Sequence, residues 1–100
     1  MASKGVIVKT VDEECRVGPG KLREEVWQDS TGTVVRYNLA FINHLIYRGD
    51  NGRVLGYDSA HGHHHRHFMG KAEEIEFPGY ETLSRRFFKE VNALTKKERT

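Results

Sequence analysis

Between positions 34 and 41 apolar and polar side chains alternate. Val35, Tyr37, Leu39 and Phe41 fall on one face of an extended chain, Arg36 and Asn38 on the other. A strand repeats every two residues, so this run predicts a sheet with one buried face. Apolar residues continue through Ile42, Leu45, Ile46 and Tyr47, but their phase shifts at Asn43 and His44, which predicts a bulge or bend. Gly49-Asp50-Asn51-Gly52 then reads as a hairpin turn that returns the chain over 53–58 as an antiparallel neighbour. Upstream, the β-branched run 6–11 predicts one strand and 22–28 a second, with Leu22 and Val26 towards the core and Trp27 on the other side. An acidic stretch, Asp12 to Arg16, and the loop Gly18-Pro19-Gly20 separate them. Downstream, 74–77 predicts a short strand stopped by Pro78-Gly79. Over 80–94 the period changes: Tyr80, Leu83, Phe87, Val91 and Leu94 recur at three- and four-residue spacing, the apolar stripe of a helix. The expected fold is α+β, an antiparallel sheet of four or five strands with a C-terminal helix packed on one face.

A chain of 100 residues, 37% apolar, supports one core, so 1–100 is expected to be a single domain. Its one cysteine, Cys15, cannot close an intramolecular disulfide, and no charged start leads into an apolar run. A cytoplasmic location is expected. No apolar stretch approaches the roughly 18 residues that span a bilayer, so no membrane partner is expected. The net charge of +2, with histidines neutral, says little about partners. Position says more, because Arg85, Arg86, Lys89, Lys96, Lys97 and Arg99 gather near the C-terminus and Arg66 and Lys71 adjoin the histidines. Arg85, Arg86 and Lys89 fall off the apolar stripe and read as solvated residues. Protonated histidines beside Arg66 and Lys71 would make a field suited to phosphate.

Five of the six histidines, His61, His63, His64, His65 and His67, lie within seven positions. Three readings compete. The first is a polar loop that is rich in histidine. The second is a metal site, since His63, His65 and His67 share one side of an extended chain. No thiolates accompany them, and closing a tetrahedral shell from one segment is difficult, so neither metal nor cofactor is expected. The third is acid–base cleavage of RNA, in which a base takes the proton of a ribose 2′-hydroxyl, an acid protonates the leaving oxygen and a cation stabilises the phosphorane. An unperturbed imidazole, with a pKa of about 6.5, can play either part. His65 and His67 are the candidate acid and base, and Arg66 between them is the candidate phosphate contact. Asp58, at the end of a predicted strand, is expected either to orient an imidazole or to accept hydrogen bonds from the loop that follows. Tyr57 shares phase with Leu55 and is expected to pack, with its hydroxyl reaching the site. Arg48 and Arg53 are further candidates for binding substrate.

Val54-Leu55-Gly56-Tyr57-Asp58-Ser59, then His65-Arg66-His67, a glutamate-rich strand and a helix carrying Phe87-Phe88 resemble the TumE-type toxins over roughly 36–91. Members read Arg-Tyr-Asp-Asn before a glycine-containing loop and a His-x-His element. Tyr57, Asp58, His65 and His67 match that pattern, whereas Gly56 stands in place of the arginine and Ser59 in place of the asparagine. The resemblance implies the toxin of a toxin–antitoxin module, with a DNA-binding antitoxin as partner. The leading expectation is thus a toxin that acts on RNA by metal-independent histidine chemistry. Its rivals are a non-catalytic module that binds nucleic acid or a protein partner, and a metal-dependent hydrolase built on the histidines.

Overall fold

The structure is a computed structural model describing residues 5–60 and 62–99, with the side chains of 97–99 excepted; His61 and the side chains of Lys97 and Arg99 lie outside the described residues. Six strands run β1 (Ile7–Val17), β2 (Gly20–Asp29), β3 (Val34–Ile42), β4 (Arg53–Ala60), β5 (His63–Phe68) and β6 (Lys71–Glu74), followed by α1 (Tyr80–Arg99). They form one sheet in chain order, each strand antiparallel to the next. The α+β class and the helix covering one face are as expected. The strand number is corrected from four or five to six, because the histidine segment itself is a strand.

That strand follows from the same two-residue period as β3: His63, His65 and His67 alternate with His64, Arg66 and Phe68. Met69 and Gly70 then adopt φ of 46° and 84°, the left-handed pair that closes a two-residue hairpin. The reversal starts the final strand at Lys71 rather than at 74.

β1 and β2 are longer than their apolar runs. The acidic stretch is part of β1, with Asp12 opposite Glu25 and Glu14 opposite Arg23. Arg23 lies 3.5 Å from Asp12, 3.4 Å from Glu14 and 3.2 Å from Glu25, and Lys21 is 3.6 Å from Glu14. Cross-strand charge pairs of this kind support a solvated ribbon that apolar alternation alone does not reveal. Gly18, at φ 58°, turns the ribbon.

α1 lays Leu83, Phe87 and Val91 on Tyr37, Leu39 and Phe41 of β3 and Leu55 and Tyr57 of β4, all of them buried. The Tyr80 hydroxyl donates to Glu24 at 2.5 Å and ties the start of the helix to β2. The helix runs past Leu94 because no glycine or proline follows. Val35 shares the parity of Tyr37 but is 42% exposed. Tyr80, the first helical residue, already lies over Tyr37, with ring centroids 5.6 Å apart, so the strand end beyond it projects past the helix.

The shift at Asn43 is a true bend. Asn43 is buried, its side chain accepts from the Leu45 N–H at 2.9 Å, and its N–H donates to Gly52 at 2.8 Å. The connection from β3 to β4 therefore occupies 43–52 instead of a tight hairpin. Leu45 within it is 76% exposed. A register shift at Phe41/Ile42 leaves Arg53 opposite Ile42 and Leu55 opposite Phe41, with one extra residue between.

Phe87→Ala should lower the unfolding free energy by about 3–5 kcal/mol, since it empties a fully buried aromatic position. Leu45→Ala should change it by less than about 0.5 kcal/mol. Urea melts of the two variants decide whether the core lies where α1 meets β3 and β4.

Candidate functional site

The pairing of β4 with β5 sets Asp58 opposite His65, Gly56 opposite His67 and Tyr57 opposite Arg66. Successive side chains alternate between faces, so Asp58, His65 and His67 lie together on the face without the helix, while Tyr57, His64 and Arg66 lie on the face that α1 packs against.

On the open face the Asp58 carboxylate is the hub. His67 Nε2 is 3.1 Å from Oδ2, and Arg53 Nη1 donates to the same oxygen at 3.3 Å. His65 Nδ1 lies 3.8 Å from Oδ1, within ion-pair but beyond hydrogen-bond distance. The His65 and His67 rings are 6.2 Å apart. Arg53 also donates through Nε to Asp50 at 2.7 Å. Its reach depends on Gly56, where a Cβ would come within 2.8 Å of Arg53 Cδ. Any larger residue at 56 would displace the arginine stem, so the missing side chain is what lets Arg53 lie along β4 to Asp58.

The hub belongs to a polar row that crosses the sheet in register, from Glu25 through Asn38, Asp58 and His65 to Glu74. Glu25 is 2.6 Å from Lys9 and accepts from Asn38 at 3.0 Å and Arg23 at 3.2 Å. Lys9 foremost, then Asn38, holds its carboxyl down at about 2. At the far end His63 Nδ1 meets Glu74 at 2.7 Å and draws that carboxyl below its ordinary range.

On the helix face the arrangement is structural. Arg66 pairs with Glu90 of α1, donates through Nε to the Tyr57 hydroxyl at 3.2 Å and lies 3.4 Å from Glu73. The Tyr57 hydroxyl donates to Glu90. Burial pushes the Tyr57 phenol up to about 12, and the Glu90 hydrogen bond raises the Arg66 guanidinium further above its usual range. His64 shares a 2.9 Å hydrogen bond with Tyr37 and stacks on Phe77 at 4.4 Å.

The structure thus brings together His65, His67, Asp58 and Arg53 from among the residues singled out by sequence. It does not bring Arg66 or Tyr57 to them, because neighbours in a strand face opposite ways. Arg48 is exposed in the β3–β4 connection. Sequence reading missed Glu25 and Asn38, although the polar parity of Asn38 was legible. It also missed Gly56 as a spacer, for which nothing local gives a signal. Chemically, the hub offers an imidazole oriented by a carboxylate, a second imidazole beside it and a guanidinium able to meet an anion. Among the described residues no group of three or more His, Cys, Asp or Glu side chains is placed to hold a metal ion, and no helix is long and apolar enough to cross a membrane.

A family model described as Toxin TumE matches residues 20–95, from β2 into α1 and across every residue of the hub. No curated protein and no solved structure matches the chain.

Glu25 yields a pH-dependent test. Its folded-state pKa is depressed from an ordinary 4.5 to about 2, so the stability it contributes is present above 4.5 and is lost as pH falls towards 2. Glu25→Gln should cost roughly 1–3 kcal/mol at neutral pH, allowing for solvent screening. The difference from wild type should shrink between those two pH values. Urea melts across that window measure it, and a pH-independent difference would remove the Lys9–Glu25–Asn38 contacts as its cause.

Proposed function

Since the chain belongs to the TumE toxin family and is thereby a toxin component with an antitoxin partner, we propose that it acts by cleaving RNA on the open face of its sheet. The observation that carries this reading is the Asp58 carboxylate held between Arg53 and His67, with His65 alongside, on a face that no helix covers. His67 acts as the base that takes the 2′-hydroxyl proton, because Asp58 orients its ring and stabilises the imidazolium that results. The 2′-oxygen attacks phosphorus and forms a 2′,3′-cyclic phosphate. His65 gives a proton to the departing 5′-oxygen. The 6.2 Å between the two rings lets both reach one phosphodiester.

Arg53 supplies the charge for the phosphorane, a part that Arg66 cannot take from beneath the helix. Nε and Nη1 are engaged by Asp50 and Asp58, which leaves Nη2 for a phosphate oxygen. An open sheet face suits a flexible single strand better than a closed pocket would. The antitoxin, a DNA-binding protein in this reading, works by covering that face.

His65→Ala and His67→Ala should each lower cleavage roughly 10²- to 10⁴-fold and relieve growth arrest, with circular dichroism unchanged. His63→Ala and His64→Ala should leave cleavage in place. Arg53→Ala should lower the rate with the fold intact, whereas Arg66→Ala should lower stability first. Cleavage should survive chelator and spare DNA. Folded His65 and His67 variants with wild-type activity would remove the site, and a wild-type protein inactive on RNA would favour a non-catalytic binding module.

A further inference from the structure

Trp27 is the single tryptophan of the chain, and it is not in the core. It stands half-buried on the open face of β2, opposite Lys9 of β1 and Arg36 of β3. The Arg36 guanidinium is 4.7 Å and the Lys9 ammonium 5.0 Å from the ring centroid, within the range of cation–π attraction.

These cations are not equivalent to one another. Lys9 is held by Glu25 at 2.6 Å and Asp12 at 3.1 Å, Arg23 by three carboxylates, and Arg53 by Asp50 and Asp58. Arg36 is exposed, and among the described residues it pairs with no carboxylate; the indole is its partner. A cation without a counter-charge, fixed beside an aromatic ring, has the chemistry to meet a phosphate and a base together. One groove joins Trp27 and Arg36 to Asn38, Arg53 and Asp58. Trp27 lies two strands and two residues from Asp58, about 12 Å by ordinary strand spacing and rise. Roughly two or three linked nucleotides would cover that distance.

We propose that Trp27 and Arg36 form a nucleotide subsite for single-stranded RNA, in which a base packs against the Trp27–Arg36 stack and Arg36 takes the adjoining phosphate. The subsite rests on reading the open face as the place where RNA is cut, but it is measured by binding alone. Stacking needs no 2′-hydroxyl, so the site accepts deoxyribose as well, and this permits a ligand that the cleavage chemistry cannot consume.

The test is titration of the full chain with short oligo(dT) and oligo(U) while following the emission of Trp27. Saturable quenching is expected with both. Arg36→Ala should weaken binding roughly tenfold and flatten the dependence of log K on log salt by about 0.7, the signature of one lost phosphate contact on a single strand. Trp27→Ala should weaken it by a similar factor, read by polarisation of a labelled oligonucleotide, while Trp27→Phe keeps most of the affinity. Arg36 is exposed, so its substitution keeps the test open should Trp27→Ala fail to fold. Oligonucleotide binding that leaves Trp27 emission unchanged, or Arg36→Ala binding with wild-type affinity and salt slope, overturns the proposal. So does a pair of variants that keep oligonucleotide binding but escape the antitoxin, since the surface then serves a protein. Cleavage that depends on His67 without quenching would sink the subsite and leave the cleavage reading standing; quenching that depends on Arg36 without cleavage would do the reverse.

Discussion

A sheet has two faces, and α1 covers only one of them. The fate of each side chain in β2 to β5 follows from that constraint through parity. Leu39, Tyr57 and Phe87 meet in the core, while their strand neighbours Asn38 and Asp58 face the side that the helix leaves open. On β5 the consequence is sharp: a slip of one residue would put Arg66 on the open face and bury His65 and His67. What prevents the slip lies under the helix, where Arg66 reaches Glu90 and Tyr57 and Phe68 packs against the core. The buried face therefore determines which imidazoles are presented, although none of its members touches the hub.

The open face is built from charge rather than apolar area. Glu25 and Asp58 sit two strands apart, each surrounded by donors, with Asn38 between them. Each carboxylate gains from its cations, and each cation is positioned by its carboxylate. Arg53 needs three local features at once: the register shift at Phe41/Ile42, the anchoring carboxylate of Asp50, and the vacant volume above Gly56. A surface of this kind offers an incoming partner electrostatic complementarity, which sets orientation and encounter rate more than it sets raw affinity.

Much of the fold can be read from spacing alone. The alternation at 34–41 determines β3 and its buried face, the three- and four-residue spacing after Tyr80 determines the helix, and the phase change at Asn43 marks a real bend. Less legible were β5, whose polar composition hid its two-residue period, and the ribbon of β1 and β2, whose acidic stretch meets the cations Lys21 and Arg23 on the facing strand. In both cases the missing information is the identity of the neighbouring strand.

The candidate site divides along the same line. Which residue types could do acid–base work, and that His65 and His67 share a face, was legible in the local sequence, because residues two apart lie on one side of a strand; for Asp58 the sequence left two readings open, and the β4–β5 pairing sets it opposite His65. The choice of cation was not legible there. Arg48, Arg53 and Arg66 are equal candidates as letters, and only the tertiary structure puts Arg53 beside Asp58, Arg66 against Glu90 of the helix and Arg48 exposed in the β3–β4 connection. A long side chain goes where counter-charge and free volume meet, and both are properties of packed neighbours.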